Sequence, residues 1–241
     1  MPTIGLVVPQ ATDVVPDEAP LMYPDVTFIP HRTGVGSLTP AGYDQAADKI
    51  VPAADALAKR GVDAIMVIGT SLTFYRGPQF NEDLQKEIRS RTGLPVSTMS
   101  TAIVDGLRAV GANKLAITTA YTKVVNDKLA ELLRFHGFDV GALQSFGITQ
   151  FGGGASAKSE AEIIDLSSAA VADAPDADAI LISCGGLRTL GVAQPLEQRH
   201  GKPVVSSTPA ALWAAMRLVG ESGRLAGYGL LLEKATKPAA A

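Results

Sequence analysis

The chain has 241 residues and a mass of 25.0 kDa, and it is 46% hydrophobic and 19% charged. That is enough to bury one large core or two of about 110–120 residues, and too apolar for a disordered polypeptide. Its net charge of −3 comes without any Lys/Arg run, which excludes the positive footprint that a nucleic-acid backbone requires. No apolar stretch approaches the roughly 20 residues that span a bilayer, and the start has no basic or apolar signal region, so the chain reads as cytoplasmic. One cysteine, Cys184, excludes an intrachain disulfide framework and a zinc site built on several thiolates.

In chain order, the first strand is expected over Thr3–Val8. The long polar and Gly/Pro-rich segment Gln10–Leu38 that follows reads as a functional loop. Thr39 as N-cap, Pro40 at the first helical position and Gly61 past the end predict one helix over Pro40–Arg60. Strand Ala64–Ile68 precedes a helix over Asn81–Thr92, and strand Leu94–Thr98 precedes one over Thr101–Val110. Next come strand Lys114–Thr118, helix Val124–His136, strand Asp139–Ser145 and a second long connection, Phe146–Lys158. Helix Glu160–Ala174, strands Ala179–Ser183 and Pro203–Ser206, and helix Pro209–Val219 complete the pattern. Most of these strands are apolar almost throughout, as in a parallel sheet covered by helices on both faces.

The chain also repeats itself. Asp63–Leu72 lines up with Asp178–Leu187, so that Gly69-Thr70-Ser71 corresponds to Cys184-Gly185-Gly186. Pro95-Val96 and Arg108–Gly111 recur as Pro203-Val204 and Arg217–Gly220, and Thr3–Gln10 echoes Lys114–Tyr121. The period is too long for a solenoid and implies two similar α/β halves. The fold class expected is α/β in two pseudo-symmetric, Rossmann-like halves, each a mainly parallel four-stranded sheet flanked by helices. The first half covers 1–112, with the C-terminal segment a candidate to pack on it, the second covers 113–230, and 231–241 is a frayed tail. Ligands in open α/β sheets sit beyond the carboxyl ends of the strands, so the site is expected in the cleft between the halves, with Gly69 facing Cys184.

A lone cysteine is most often a small buried hydrophobe. Here the Ser183-Cys184-Gly185-Gly186 context and the matched turn favour a functional thiol. Gly185-Gly186 can aim backbone N–H groups at one point, Thr70 and Ser71 add hydroxyl donors, and Tyr121 adds a phenol, together a cage for a carboxylate. Thr70 and Ser71 fit ordinary turn or N-cap chemistry equally well, and Tyr121 also fits the edge of a core. His136 and His200 precede glycines at helix ends and read as structural. His31-Arg32 reads as an anion patch or a solvated turn, and Gly152-Gly153-Gly154 as a hinge, either of a lid or of a flexible connection. No dinucleotide or P-loop fingerprint and no metal-ligand spacing is present, so neither a cofactor nor a metal is expected.

Pro9, Gly34-x-Gly36-Ser37-x-Thr39-Pro40, Gly69-Thr70-Ser71-Leu72-x-Phe74-Tyr75-Arg76-Gly77, Ser97–Ala102, Ala120-Tyr121 and Ser183–Leu187 closely resemble the arylmalonate decarboxylase family of the aspartate/glutamate racemase superfamily. The resemblance runs from about Thr3 to Leu230. It implies cofactor-free decarboxylation of 2-aryl or 2-alkenyl malonates to enantiopure acids by a monomer whose partner is a small dicarboxylate. It also implies that Cys184 is the proton donor, and that Thr70, Ser71, Tyr121 and backbone N–H groups near Ser71, Cys184 and Gly185 hold one carboxylate. Pro9, Gly69, Val35, Leu38 and Phe151 are carried over as further substrate-binding positions. Phe151, Gly154, Gln10 and His31-Arg32 depart from the family's pattern. In the wider superfamily two cysteines face each other, so Gly69 argues against the alternative of an isomerase or racemase. A carboxylate binder without turnover is a third reading.

Overall fold

The computed structural model describes residues 1–35, 40–149 and 153–234. Its strands are β1 (Thr3–Val8), β2 (Thr27–Arg32), β3 (Ala64–Val67), β4 (Val96–Thr98), β5 (Lys114–Thr119), β6 (Asp139–Ser145), β7 (Ala179–Ser183) and β8 (Val204–Ser206). Its helices are α1 (Glu18–Met22), α2 (Pro40–Ala47), α3 (Ile50–Lys59), α4 (Thr70–Phe74), α5 (Pro78–Thr92), α6 (Met99–Val110), α7 (Lys123–Phe135), α8 (Gly153–Ser156), α9 (Glu160–Asp173), α10 (Ala193–His200), α11 (Ser207–Leu218) and α12 (Leu230–Glu233). No helix among the described residues is long and apolar enough to cross a membrane.

The strands form two parallel four-stranded sheets, in the orders β2-β1-β3-β4 and β6-β5-β7-β8. The identical order is the structural form of the sequence repeat. Each central strand splits its side chains between two cores, as the two-residue period of a strand requires. Ile4, Leu6 and Val8 of β1, Met66 of β3, Leu115 and Ile117 of β5 and Leu181 of β7 enter one core shared by both sheets. Val7, Ile65 and Val67 face outward under α3 and α5, and Ala116, Ile180 and Ile182 do so under α9 and α10. The equivalent helices α6 and α11 pack against each other between the sheets. On α6, Gly106 lets β8 and α12 come close, since a Cβ there would lie 3.1 Å from Val205 Cγ1 and 3.3 Å from Leu231 Cδ2.

The structure departs from the expected elements in places with local causes. Strand β2 lies inside the segment expected as a loop. It pairs on one side only, and that edge position is what accommodates Pro30, opposite Leu6, inside a strand. The helix expected over Pro40–Arg60 is two helices. Pro52 has no N–H to give to Asp48, so the chain breaks at Asp48-Lys49 and restarts with Pro52 in the first turn of α3, where a missing donor costs nothing. The pairing of β5 with β6 shifts between Leu115 and Ala116, opposite Gly141, where a Cβ would press to 3.1 Å from the Leu115 carbonyl. Where a frayed tail was expected to begin, Leu231 and Leu232 of α12 are buried against the shared core. Residues 235–241 lie outside the described residues. Removing the Leu232 side chain (Leu232→Ala) should therefore cost about 2–4 kcal/mol and lower the urea midpoint, whereas a frayed tail would leave the midpoint unchanged.

Candidate active site

A cavity of about 300 Å³ opens where β1, β3, β5 and β7 end, and Pro9, Gly69, Thr70, Ser71, Tyr121, Cys184 and Gly185 all line it. The repeated turns thus meet in one chamber. Gly69 connects β3 to α4 with φ +112°, a conformation L side chains rarely adopt, and a Cβ there would sit 3.3 Å from Leu72 Cβ and 3.4 Å from Pro9 Cγ. The first helical bond of α4 runs from Thr73 N–H to the Gly69 carbonyl, so the N–H groups of Thr70 and Ser71 lie ahead of the helical ladder. Opposite, Leu187 N–H donates to the Cys184 carbonyl at 3.1 Å and closes a tight turn. The N–H groups of Gly186 and Leu187 and the Tyr121 hydroxyl are turned toward the sulfur.

Hydroxyl groups join the two turns. Ser207 Oγ, at the start of α11, accepts from the Thr70 hydroxyl at 3.0 Å and from Cys184 N–H at 3.1 Å. The N–H of Cys184, expected as a free donor, is therefore engaged by Ser207. Tyr43 of α2 donates to Ser71 Oγ at 3.2 Å, which leaves the Ser71 hydrogen free for a ligand. The Tyr121 and Ser183 hydroxyls lie 3.4 Å apart. Below them Thr73 Oγ1 and Ser100 Oγ are hydrogen-bonded at 2.6 Å and each lies 3.1 Å from the Thr70 carbonyl, so one hydroxyl donates to the other and the other to that carbonyl, fixing the floor of the α4 turn.

Burial pushes the Cys184 thiol up, against the opposing pull of the Gly186 and Leu187 N–H groups and the Tyr121 hydroxyl. Burial likewise raises Tyr121 well above an ordinary phenol and pushes Tyr43 up to about 12. At neutral pH all three are protonated donors. The lining also includes the apolar side chains of Pro9, Pro16, Val35, Leu72, Ile148 and Ala155, together with Gln10, whose Oε1 is buried without a hydrogen-bond partner. Among the described residues the lining holds no Asp, Glu, Lys, Arg or His side chain. The arrangement can grip a carboxylate by neutral hydrogen bonds and present a thiol proton next to it, in a chamber whose apolar side chains solvate no charge.

Leu38 and Phe151 lie outside the described residues, as does Gly152 of the expected hinge. Gly154, in α8, packs so closely on Ile148 that a Cβ would stand 2.8 Å from Ile148 Cγ2, while Ala155 and Ser156 line the cavity. His31-Arg32 ends edge strand β2, with Arg32 N–H donating to Asp13 Oδ1 at 2.7 Å, and neither residue lines the cavity. His136 caps α7 and His200 ends α10, 3.0 Å from Ser168 Oγ, both away from the site. Tyr43, Pro16 and Ser207 are lining or bracing residues that sequence reasoning missed. The repeat that aligns Pro95-Val96 with Pro203-Val204 carries Ser207 to the first helical position, opposite Met99, and was the signal available for it. Tyr43 and Pro16 lie outside the repeat.

Residues 4–232 match the arylmalonate decarboxylase family. The chain belongs to that family. It is 45% identical over 235 residues to the arylmalonate decarboxylase of Bordetella bronchiseptica, covering 97% of each protein. A doubly substituted arylmalonate decarboxylase in liganded form has a TM-score of 0.94 at 43% identity, covering 97% of this chain and 99% of that one. A maleate isomerase from Pseudomonas putida shares the fold, with a TM-score of 0.90 at 22% identity over 98% of this chain and 99% of its own. Family membership makes the chain a decarboxylase, a carbon–carbon lyase.

The thiol environment is directly measurable. Because burial raises the Cys184 pKa, thiolate absorbance should appear only above the ordinary thiol range near pH 8.5. A midpoint below that range would mean that the N–H groups, and not burial, dominate the sulfur.

Proposed function

We propose that the chain releases CO2 from 2-aryl or 2-alkenyl malonates and protonates the remaining carbon from one face with Cys184, yielding one enantiomer of the acid. The observation that supports this best is the make-up of the cavity: the protonated donors Ser71, Tyr121 and the Cys184 thiol share one chamber with apolar side chains and with no charged one among the described residues.

One carboxylate binds the Ser71 and Tyr121 hydroxyls, the Thr70 hydroxyl once it turns from Ser207, and the N–H groups at Ser71 and Gly185. The second is pressed against the apolar wall formed by Pro9, Val35 and Leu72, where an ionised group without partners is costly by several kcal/mol. Breaking its carbon–carbon bond expels neutral CO2 and relieves that cost. The electron pair moves onto the held carboxylate as an enediolate, whose oxygens face donors already in place, the logic of an oxyanion hole. The Cys184 S–H bond then breaks toward the carbon, and the thiolate recovers its proton from solvent. Gly69 places no second acid on the opposite side.

Carbon dioxide release from phenylmalonate should fall by about 10²-fold or more in Cys184→Ala, the contribution of a positioned acid. Undiminished release would remove the thiol from the reaction. Isomerised maleate or racemised aspartate with the unaltered chain would point to the superfamily's isomerases, and tight binding without product to a carboxylate binder.

The pH profile carries a sign. The reaction uses the protonated thiol, whose pKa is raised, so kcat should be flat through neutral pH and fall only in the alkaline range as the thiol ionises. A rise in kcat with pH would require a thiolate base instead.

Gly69→Cys should put a second thiol across the carbon, so 2-methyl-2-phenylmalonate should give product of lower enantiomeric purity. The φ of +112° should cost that variant about 1 kcal/mol or more of stability. Chiral chromatography showing unchanged product would mean that the two turns do not face the same carbon.

A further inference from the structure

One buried carboxylate takes no part in the chemistry above. Glu18, on α1, is 7% exposed. Its Oε1 accepts the Thr189 N–H at 2.8 Å and the Leu190 N–H at 3.0 Å, and the Thr208 hydroxyl also donates to the carboxylate. Each of these partners lies on a segment joined to the thiol-bearing turn. Thr189 and Leu190 follow the Cys184–Leu187 turn after Arg188. Thr208 adjoins Ser207, whose hydroxyl holds the Cys184 N–H, and its own Oγ1 lies 3.5 Å from the Gly185 carbonyl. Glu18 itself belongs to the segment between β1 and β2 that supplies Pro16 to the cavity wall, and the Pro16 carbonyl accepts the Ala19 N–H at 2.9 Å. Wall and anchor are therefore one turn of chain. The adjacent Asp17–Arg188 ion pair, at 3.0 Å, is exposed and adds little.

We infer that Glu18 is a positioning residue for Cys184: its carboxylate clamps the Pro16 wall of one half to the thiol-bearing turn of the other and so sets the face from which the sulfur meets the cavity. The inference rests on Cys184 being the acid. Burial raises the carboxyl pKa against these donors, and none of the bonds requires a charge. A glutamine at this position keeps an oxygen for both N–H groups and turns its NH2 toward Thr208 Oγ1, which can accept as well as donate. An alanine keeps neither contact, and a misplacement of about 1 Å at a reacting group costs up to about 10²-fold in rate.

The test uses the full chain, whose one cysteine makes alkylation by N-ethylmaleimide a direct report on the Cys184 turn. Relative to the unaltered chain, Glu18→Ala should alkylate about tenfold faster, the effect of losing the hydrogen bonds that hold the turn. It should also lose about 10- to 100-fold in kcat on 2-methyl-2-phenylmalonate with KM within about twofold, and give product of lower enantiomeric purity. Glu18→Gln should stay within about twofold of the unaltered chain in every readout. The inference is overturned if Glu18→Ala alkylates and turns over like the unaltered chain, or if Glu18→Gln behaves like Glu18→Ala, since charge and not the clamp would then be responsible. Should Glu18→Ala fail to fold, Glu18→Asp decides, because its carboxylate is set back by one methylene. Intermediate alkylation supports the clamp and unchanged alkylation refutes it. Alkylation needs no substrate, so a chain that released no CO2 from any malonate would sink the proposed reaction while the alkylation contrast still judged the clamp.

Discussion

Ser207 Oγ accepts the Thr70 hydroxyl and the Cys184 N–H at once, so a single buried oxygen fixes the distance between the donor turn of one half and the thiol turn of the other. Ser207 opens α11, which packs against α6 between the sheets, and both helices carry small buried residues: Ala102 and Gly106 on α6, Ala210, Ala211, Ala214 and Ala215 on α11. The shared core of large apolar side chains from both sheets then holds the helices in that position. Packing between the sheets thus carries the helix whose first residue joins the two turns. Without a ligand both donors are satisfied at that oxygen, and the Thr70 hydroxyl can leave it only where a substrate carboxylate accepts the bond instead, while the Cys184 N–H stays engaged.

Much of the architecture was legible because its signals are local or repeated. The apolar strands β1, β3, β5 and β7 read as parallel because side chains on both of their faces are buried, and the doubled Asp63–Leu72 pattern predicted the doubled strand order. What escaped has a physical reason in each case. Strand β2 is half-exposed and holds Pro30, a combination that looks like a loop unless its edge position is known. The break before α3 depended on weighing Pro52 against an otherwise continuous helical pattern. The buried Leu231 and Leu232 occupy one turn of helix, too short for periodicity to show.

The site divides in the same way. Gly69, Thr70, Ser71, Cys184 and Gly185 were readable because two strand-end turns share one alignment, and Tyr121 because the echo of the first strand ends on it. Tyr43 reaches Ser71 from α2 by stacking on Tyr75, with ring centroids 4.3 Å apart, and spacing along the chain contains nothing of that contact. Pro16 arrives from a segment read only as a loop. Residues that matter through a neighbour's orientation leave little trace in composition, whereas residues at the ends of repeated strands leave a strong one.

Gly69 carries a consequence for how such a site persists through mutation. Its left-handed backbone and the close approach of Pro9 and Leu72 mean that any side chain introduced there loses conformational energy before it can contribute chemistry. In the proposed reaction the emptiness of that face is what keeps the product single-handed. Stereochemical fidelity is therefore insured by thermodynamics: a lineage that drifted toward a second acid at this position would first surrender part of a folding margin of only some 5–15 kcal/mol.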